Sequence, residues 1–307
     1  MKIKRIKNII PAILGLLFLS CNPKVEVPAY IYIDVEGISF VAESEQGSAS
    51  SKITDVQVTV ILDKMDEIGT YKLPALFPVI AEGNTELIFW AGIKLNGLSQ
   101  QRTIYPLYKE LRKMLNLKKG QIDTISLEFS YYDNVKFPLI ENFESAGLKF
   151  SPIEGSAELK KTNVDSFLFH HHNEANSFSG KIELPASDSI YFFEIRTAAP
   201  LNFNATSAKY CFVELNFCFT ENVEIGMYCH YPPNSSVRTQ QVAIVNIKGE
   251  EKYMKEPEWN KIYVNLTKEM IDATAMGMTH FDIYMKSGIQ RGKTARFLFD
   301  NIKIAHH

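Results

Sequence analysis

Polar and apolar positions alternate with a period of two along most of this chain. Val56, Val58, Val60 and Leu62 alternate with Asp55, Gln57 and Thr59, and Ile125, Leu127, Phe129 and Tyr131 alternate with Ser126, Glu128 and Ser130. Successive side chains of a strand point to opposite faces, so this pattern predicts strands with one face in a core and one in water. The same reasoning predicts strands at residues 191–197, 210–219, 223–231, 240–248, 261–267, 281–286 and 295–304. Turn chemistry separates the early strands at residues 63–69, 81–84 and 95–97, where Asn96-Gly97 is a hairpin signal. One helix is predicted over residues 267–276, with Thr267 as cap and Glu269 in the first turn. Residues 105–117 fit an amphipathic helix through Leu107, Leu111, Met114 and Leu115, or a strand pair, and the pattern leaves both open. The expected fold class is all-β: two tandem β-sandwich domains, the first antiparallel over 30–135, the second a jelly roll over 136–307.

The start of the chain has a different pattern. Lys2, Lys4, Arg5 and Lys7 precede an apolar run from Ile9 to Leu19 that stops at Ser20-Cys21. The run is shorter than the roughly 20 residues a spanning helix needs, so residues 1–20 read as a cleaved signal peptide. The ending Leu17-Phe18-Leu19-Ser20-Cys21 resembles a lipobox, with Phe18 where that motif usually has Leu. The resemblance implies a lipidated Cys21 on a short Pro-containing tether, residues 21–29, that holds the protein at a membrane face. Without the leader, which carries four of the 33 basic residues and none of the 35 acidic ones, the net charge is about −6. A mildly acidic chain has no electrostatic footprint for nucleic acid.

The first domain resembles a family of Bacteroidota surface lipoproteins. The residues carrying this are the runs from Pro28 to Asp34 and from Gly47 to Val56, Leu73-Pro74-Ala75-Leu76-Phe77-Pro78-Val79, and Gly92-Ile93-Lys94-Leu95-Asn96-Gly97. Its middle is similar to a PEGA-type, Ig-like sandwich. The second domain resembles the galactose-binding-domain-like jelly roll of carbohydrate-binding modules, through Ile140-Glu141-Asn142-Phe143-Glu144, Trp259-Asn260-Lys261-Ile262-Tyr263-Val264, and the closing run from Phe297 to Ile304. That likeness implies a structural calcium ion between the first and last strands, with Glu144 and Asp300 as ligands.

Among aromatic side chains, Tyr231 in Cys229-His230-Tyr231-Pro232-Pro233-Asn234 is the candidate glycan-stacking ring, whereas Trp90 and Trp259 suit core packing. His170-His171-His172 is expected to be a solvated strand end, because adjacent histidines alternate sides. Cys211 and Cys218 stand seven apart and face opposite ways on one strand; with Cys229 they are expected to be small buried residues. No paired-carboxylate signature and no Gly-x-Ser-x-Gly elbow is present, so no enzyme is expected and a hydrolase is a minor alternative. The lipoprotein resemblance implies an accessory subunit of an outer-membrane protein complex, anchored by lipid and facing the cell exterior. The alternative is glycan binding through the jelly roll.

Overall fold

The computed structural model describes residues 26–307 apart from 63–64, 172–173, 188–190, 202–209 and 233–238. The leader and Cys21 lie outside the described residues, as does His172. Among the described residues no helix is long and apolar enough to cross a membrane.

The first half contains β1 (Ala29–Ile33), β2 (Ile38–Val41), β3 (Asp55–Ile61), β4 (Met65–Lys72), β5 (Ala75–Val79), β6 (Gly83–Lys94), β7 (Arg102–Ile104), β8 (Leu111–Leu117), β9 (Ile122–Thr124) and β10 (Leu127–Ser130), with β4 beginning inside the 63–69 stretch expected as a turn. One sheet runs β4-β3-β6-β7, with β8 also on β6; the opposing layer holds β5-β1-β9 and the β2–β10 pair. The 105–117 segment resolves as a strand, β8, paired to β6. Its aromatic start, Tyr105 and Tyr108, is buried ahead of the strand. The sandwich is not purely antiparallel as expected: β1 pairs β9, and β2 pairs β10, in parallel. Parallel pairing needs a long crossover, and here the whole 42–121 segment supplies one, which local periodicity does not reveal. The Asn96-Gly97 turn forms with both residues in the left-handed region, φ 52° and 73°, as a tight primed turn requires. The Pro-containing β5 lies at a sheet edge, paired only to β1.

The second half contains β11 (Lys136–Glu141), β12 (Phe150–Pro152), β13 (Lys160–Thr162), β14 (Ser179–Leu184), β15 (Tyr191–Thr197), β16 (Cys211–Phe219), β17 (Val223–His230), β18 (Gln240–Ile247), β19 (Asn260–Asn265), α1 (Thr267–Ala275), β20 (His280–Ile289) and β21 (Ala295–His306). A six-stranded sheet runs β13-β14-β21-β16-β19, with β11 also on β21, and faces a five-stranded sheet, β12-β15-β20-β17-β18. Phe193 of the second sheet meets Phe297 of the first at 4.8 Å between ring centres. Helix α1 lacks the expected cap: the Thr267 hydroxyl instead accepts the Cys211 N–H at 3.0 Å, tying the helix to β16. Cys211, Cys218 and Cys229 are buried free thiols.

Every residue of β16 is buried, and so are eleven of the twelve in β21. A sandwich strand is covered on one face only, so a third layer must lie on the other. That layer is the first domain. Phe212, Tyr263 and Ala305 on the outer side of the six-stranded sheet belong to the same apolar cluster as Tyr105, Tyr108 and Tyr131. At its centre Glu214 Oε1 accepts hydrogen bonds from the Tyr105 and Tyr131 hydroxyls, each at 2.7 Å, while Lys261 Nζ lies 2.9 Å from Oε2. The Gly47–Lys52 segment straps the interface: Lys303 Nζ donates to the Ser48 carbonyl at 2.5 Å, Lys261 Nζ to the Ser50 carbonyl at 2.7 Å, and the Lys52 N–H to the Tyr263 hydroxyl at 2.8 Å. The Asn96 turn docks as well, its N–H on the Tyr263 carbonyl and its side-chain oxygen accepting the Asn265 N–H. The two sandwiches thus join through one buried aromatic and ionic seam, leaving the five-stranded sheet as the broad face turned away from the first domain.

Candidate binding face of the second sandwich

Along β17, Val223, Ile225, Met227 and Cys229 point into the core, which turns Glu224, Gly226, Tyr228 and His230 outward. The same parity turns Phe192, Glu194 and Arg196 of β15 outward, and Asp282, Tyr284, Lys286 and Gly288 of β20. Register then sets them in rows across the sheet. Phe192 stands opposite Gly288; Glu194, Lys286, Glu224 and Asn246 form the next row; Arg196, Tyr284 and Gly226 form the one after.

Charge on this face is tightly paired. Glu194 Oε1 lies 2.6 Å from the Arg196 guanidinium and accepts the Tyr228 hydroxyl at 3.0 Å. Arg196 in turn covers the Tyr228 ring at 3.9 Å from its centre. Glu224 Oε1 accepts the Tyr284 hydroxyl at 2.6 Å and lies 3.0 Å from Lys286 Nζ. Partial burial pushes the Glu224 carboxyl up, but Tyr284 and Lys286 outweigh it and hold the group below its ordinary range. Burial, followed by the hydrogen bond to Glu224, raises the Tyr284 hydroxyl. The hydroxyl end of Tyr284 lies over Gly226, where a Cβ would sit 2.4 Å from the phenol oxygen. Further along, His230 Nε2 and Asp282 are 2.8 Å apart and Thr197 donates to Asp282 at 3.2 Å.

At the other end the face opens. A groove of about 310 Å³ is lined by Phe192, Glu194, Glu224, Asn246, Lys286 and Gly288. Phe192 is 40% exposed, and Tyr191 beside it 39%. Gly288 stands against Phe192, where a Cβ would lie 3.6 Å from the Phe192 Cβ.

The residues named from sequence are placed elsewhere. Tyr231 is half-buried, packed against the core beside Gly277 rather than on the outer face; residues 233–234 of its loop lie outside the described residues. Trp259 is half-buried, edge-on to Phe169 at 5.5 Å. His170 lies 3.8 Å from Asp165 and His171 3.5 Å from Glu174 in the loop before β14. Glu144 and Asp300 do come together, on either side of the 176–179 segment. Glu144 Oε1 accepts the Ser177 and Phe178 N–H groups, both at 2.9 Å. Asp300 Oδ2 accepts Ser179 Oγ at 2.6 Å and Asn176 Nδ2 at 2.8 Å, and Oδ1 accepts the Asn301 N–H at 2.7 Å. Three of the four oxygens are thus occupied by protein donors, against the six to eight oxygens calcium requires. Among the described residues no group of three or more His, Cys, Asp or Glu is arranged to hold a metal ion. The donor set fits calcium incompletely.

Burial raises the fully enclosed Asp300 to about 7, with its hydrogen bonds opposing and the Glu144 charge adding. A raised folded-state value means that the stabilisation is complete below the unfolded value of 3.8 and is lost as pH rises through about 7. Asp300→Asn is expected to remove that fall, seen as a flattened urea-midpoint profile from about pH 4 to pH 7; an unchanged slope refutes the assignment.

No protein-family model and no curated protein matches the chain. Among solved structures, the chain is similar to carbohydrate-binding modules. One, from a study of promiscuous specificity in the β-sandwich superfamily, matches 92% of this chain and 99% of its own at 14% identity and a TM-score of 0.37. A family 11 module from Clostridium thermocellum, in complex with a β-1,3-1,4-mixed-linked tetrasaccharide, matches 55% of this chain and 94% of its own at 11% identity and 0.35. A xylan-binding domain of family 22 matches 57% and 97% at 12% identity and 0.35. The likeness is one of strand layout.

Proposed function

We propose that this protein is a non-catalytic module that binds a saccharide on the outer face of the five-stranded sheet. The observation that carries this is the groove at Phe192: an exposed aromatic residue stands opposite Gly288, with Glu194, Lys286, Glu224 and Asn246 forming a polar row next to it. A pyranose has an apolar face that stacks on an aromatic ring and a rim of hydroxyls that needs donors and acceptors, and the groove supplies both. The paired charges present fixed acceptors and a fixed ammonium without needing to reorganise. Glu224, held below its ordinary range by Tyr284 and Lys286, is suited to accept hydrogen bonds from sugar hydroxyls.

The geometry of the described residues lends no support to the accessory-subunit role, so glycan binding takes its place as the main reading. The lipid anchor at Cys21 is kept within the proposal. Acyl chains there would hold the binding face at a membrane exterior, close to polysaccharide; fatty-acid labelling lost in Cys21→Ala tests it.

The test of the function is a glycan array followed by calorimetry on the strongest ligand. Phe192→Ala, at an exposed position, is expected to fold normally and to weaken binding by about tenfold or more. No binding to any glycan, or equal affinity in the variant, refutes it.

A further inference from the structure

A second concavity lies where the two sandwiches meet, beside the Asn96 turn and between β18 and β19. It measures about 290 Å³, and its walls carry Lys52, Lys94 and Lys248 together with the amides of Asn96, Asn246 and Asn260. Its lining contains no aspartate or glutamate. Lys52 Nζ donates to the Asn260 side-chain oxygen, while none of the three lysines forms an ion pair with a carboxylate among the described residues. Lys261, also in the wall, is committed to Glu214 and to the Ser50 carbonyl.

Lys119 pairs with Glu82 and Lys286 with Glu224, whereas Glu258, whose charge acts on Lys52, lies outside the lining of this cavity. Three gathered on one cavity without a carboxylate in its wall repel one another, and an anion would relieve that. Burial first, and then the charge of Lys94, lower the Lys52 ammonium, with Glu258 opposing. Asn246 lines both this cleft and the Phe192 groove, so the two approach each other at the edge strand β18.

We infer that the interdomain cleft is an oxyanion subsite, receiving the carboxylate or sulfate of an acidic sugar unit whose neighbouring units lie in the Phe192 groove. This rests on the saccharide reading above. The ammonium groups of Lys52, Lys94 and Lys248 supply charge, and the three amides supply directed donors to the oxygens and the ring hydroxyls. The volume suits a single sugar unit. The lysines come from both domains, Lys52 and Lys94 from the first and Lys248 from the second, so the subsite exists only while the seam is closed.

Calorimetry on the intact chain tests this with tetragalacturonate and a chondroitin sulfate tetrasaccharide, each beside its carboxyl-reduced or desulfated form, and with sodium sulfate alone. At least one charged form is expected to bind about tenfold more tightly than its neutral counterpart at about 50 mM salt, with the preference shrinking at about 300 mM. Lys94→Gln/Lys248→Gln, two changes in a solvent-accessible wall, is expected to reduce the charged-over-neutral affinity ratio to less than about twofold. Equal affinity for charged and neutral forms, or a preference that survives in the double variant, overturns the inference. Sulfate that binds through these lysines while no charged saccharide does also overturns it, identifying a free-ion site. Phe192→Ala separates the two proposals. If it weakens both forms and no charge preference exists, the groove stands and the subsite falls; if the charged form still binds through the lysines with Phe192 irrelevant, the groove reading falls.

Discussion

Replacing Glu214 with alanine is expected to destabilise the protein by about 3–5 kcal/mol, measured as a lowered urea midpoint. The carboxylate is fully buried and is approached by Lys261, Tyr105 and Tyr131, with the buried Lys303 as a second source of positive charge. Without it, two ammonium groups face each other in the seam and two phenols lose their acceptor, each an uncompensated desolvation. Burial pushes the Glu214 carboxyl up, yet Lys261 and Lys303 bring it below its usual range, which is the sign of a net attractive site. Lys303 bears the opposite imbalance: burial brings it down to about 7, against the pull of Glu214. A depressed folded value means its contribution is lost as pH falls through about 7 and grows toward the unfolded value of 10.5. Stability is therefore expected to rise from about pH 7 to pH 9, and Lys303→Met to flatten that rise. Above 9 the trend reverses, because burial raises Cys211 to about 12 and Cys229 to about 11, and the unfolded thiols ionise first.

Gly226→Ala is expected to cost about 1–3 kcal/mol in stability and at least about tenfold in saccharide affinity. A Cβ at this position would meet the Val242 carbonyl oxygen at 2.3 Å and the Tyr284 hydroxyl at 2.4 Å. The carbonyl belongs to β18, beside the register shift between Ile225 and Gly226, so relief requires β18 to move out or Tyr284 to lift off the sheet. Lifting Tyr284 breaks its bond to Glu224, which then swings with Lys286 in the groove floor. Equilibrium unfolding and calorimetry on the same variant measure the two losses. A variant with wild-type affinity shows that Tyr284 does not organise the groove.

From β15 on, the strands of the second domain were legible: β15 matches its predicted span, and β17 and β18, with one covered face, match within a residue, as does β16, whose near-continuous apolar run reflects burial on both faces; β11 to β14, mostly short, left no such trace. Parity on β17 also carried the outward set. With Val223, Ile225, Met227 and Cys229 inside, Glu224, Gly226 and Tyr228 face out, and Tyr231, in phase with Cys229, faces in. The sequence singles out Tyr231 beside Pro232-Pro233, and the phase of the strand turns it toward the core. The groove itself was not legible, since Phe192, Lys286 and Glu224 meet through the pairing of β15 with β20 and of β20 with β17, strands whose register no local pattern encodes. The seam was hidden for the same reason. Glu214 reads as an ordinary strand acid until β19 and β21 bring Lys261 and Lys303 beside it, and Ser48-Ala49-Ser50-Ser51 reads as a plain loop until its carbonyls meet those ammonium groups.

Hydrogen–deuterium exchange with and without the best array ligand locates binding most directly. The saccharide account predicts new protection in β15, β17 and β20, spreading to β18 through Asn246, and no change in β1, β5 or β9. Protection confined to the first domain, or to the loop before β14, contradicts it.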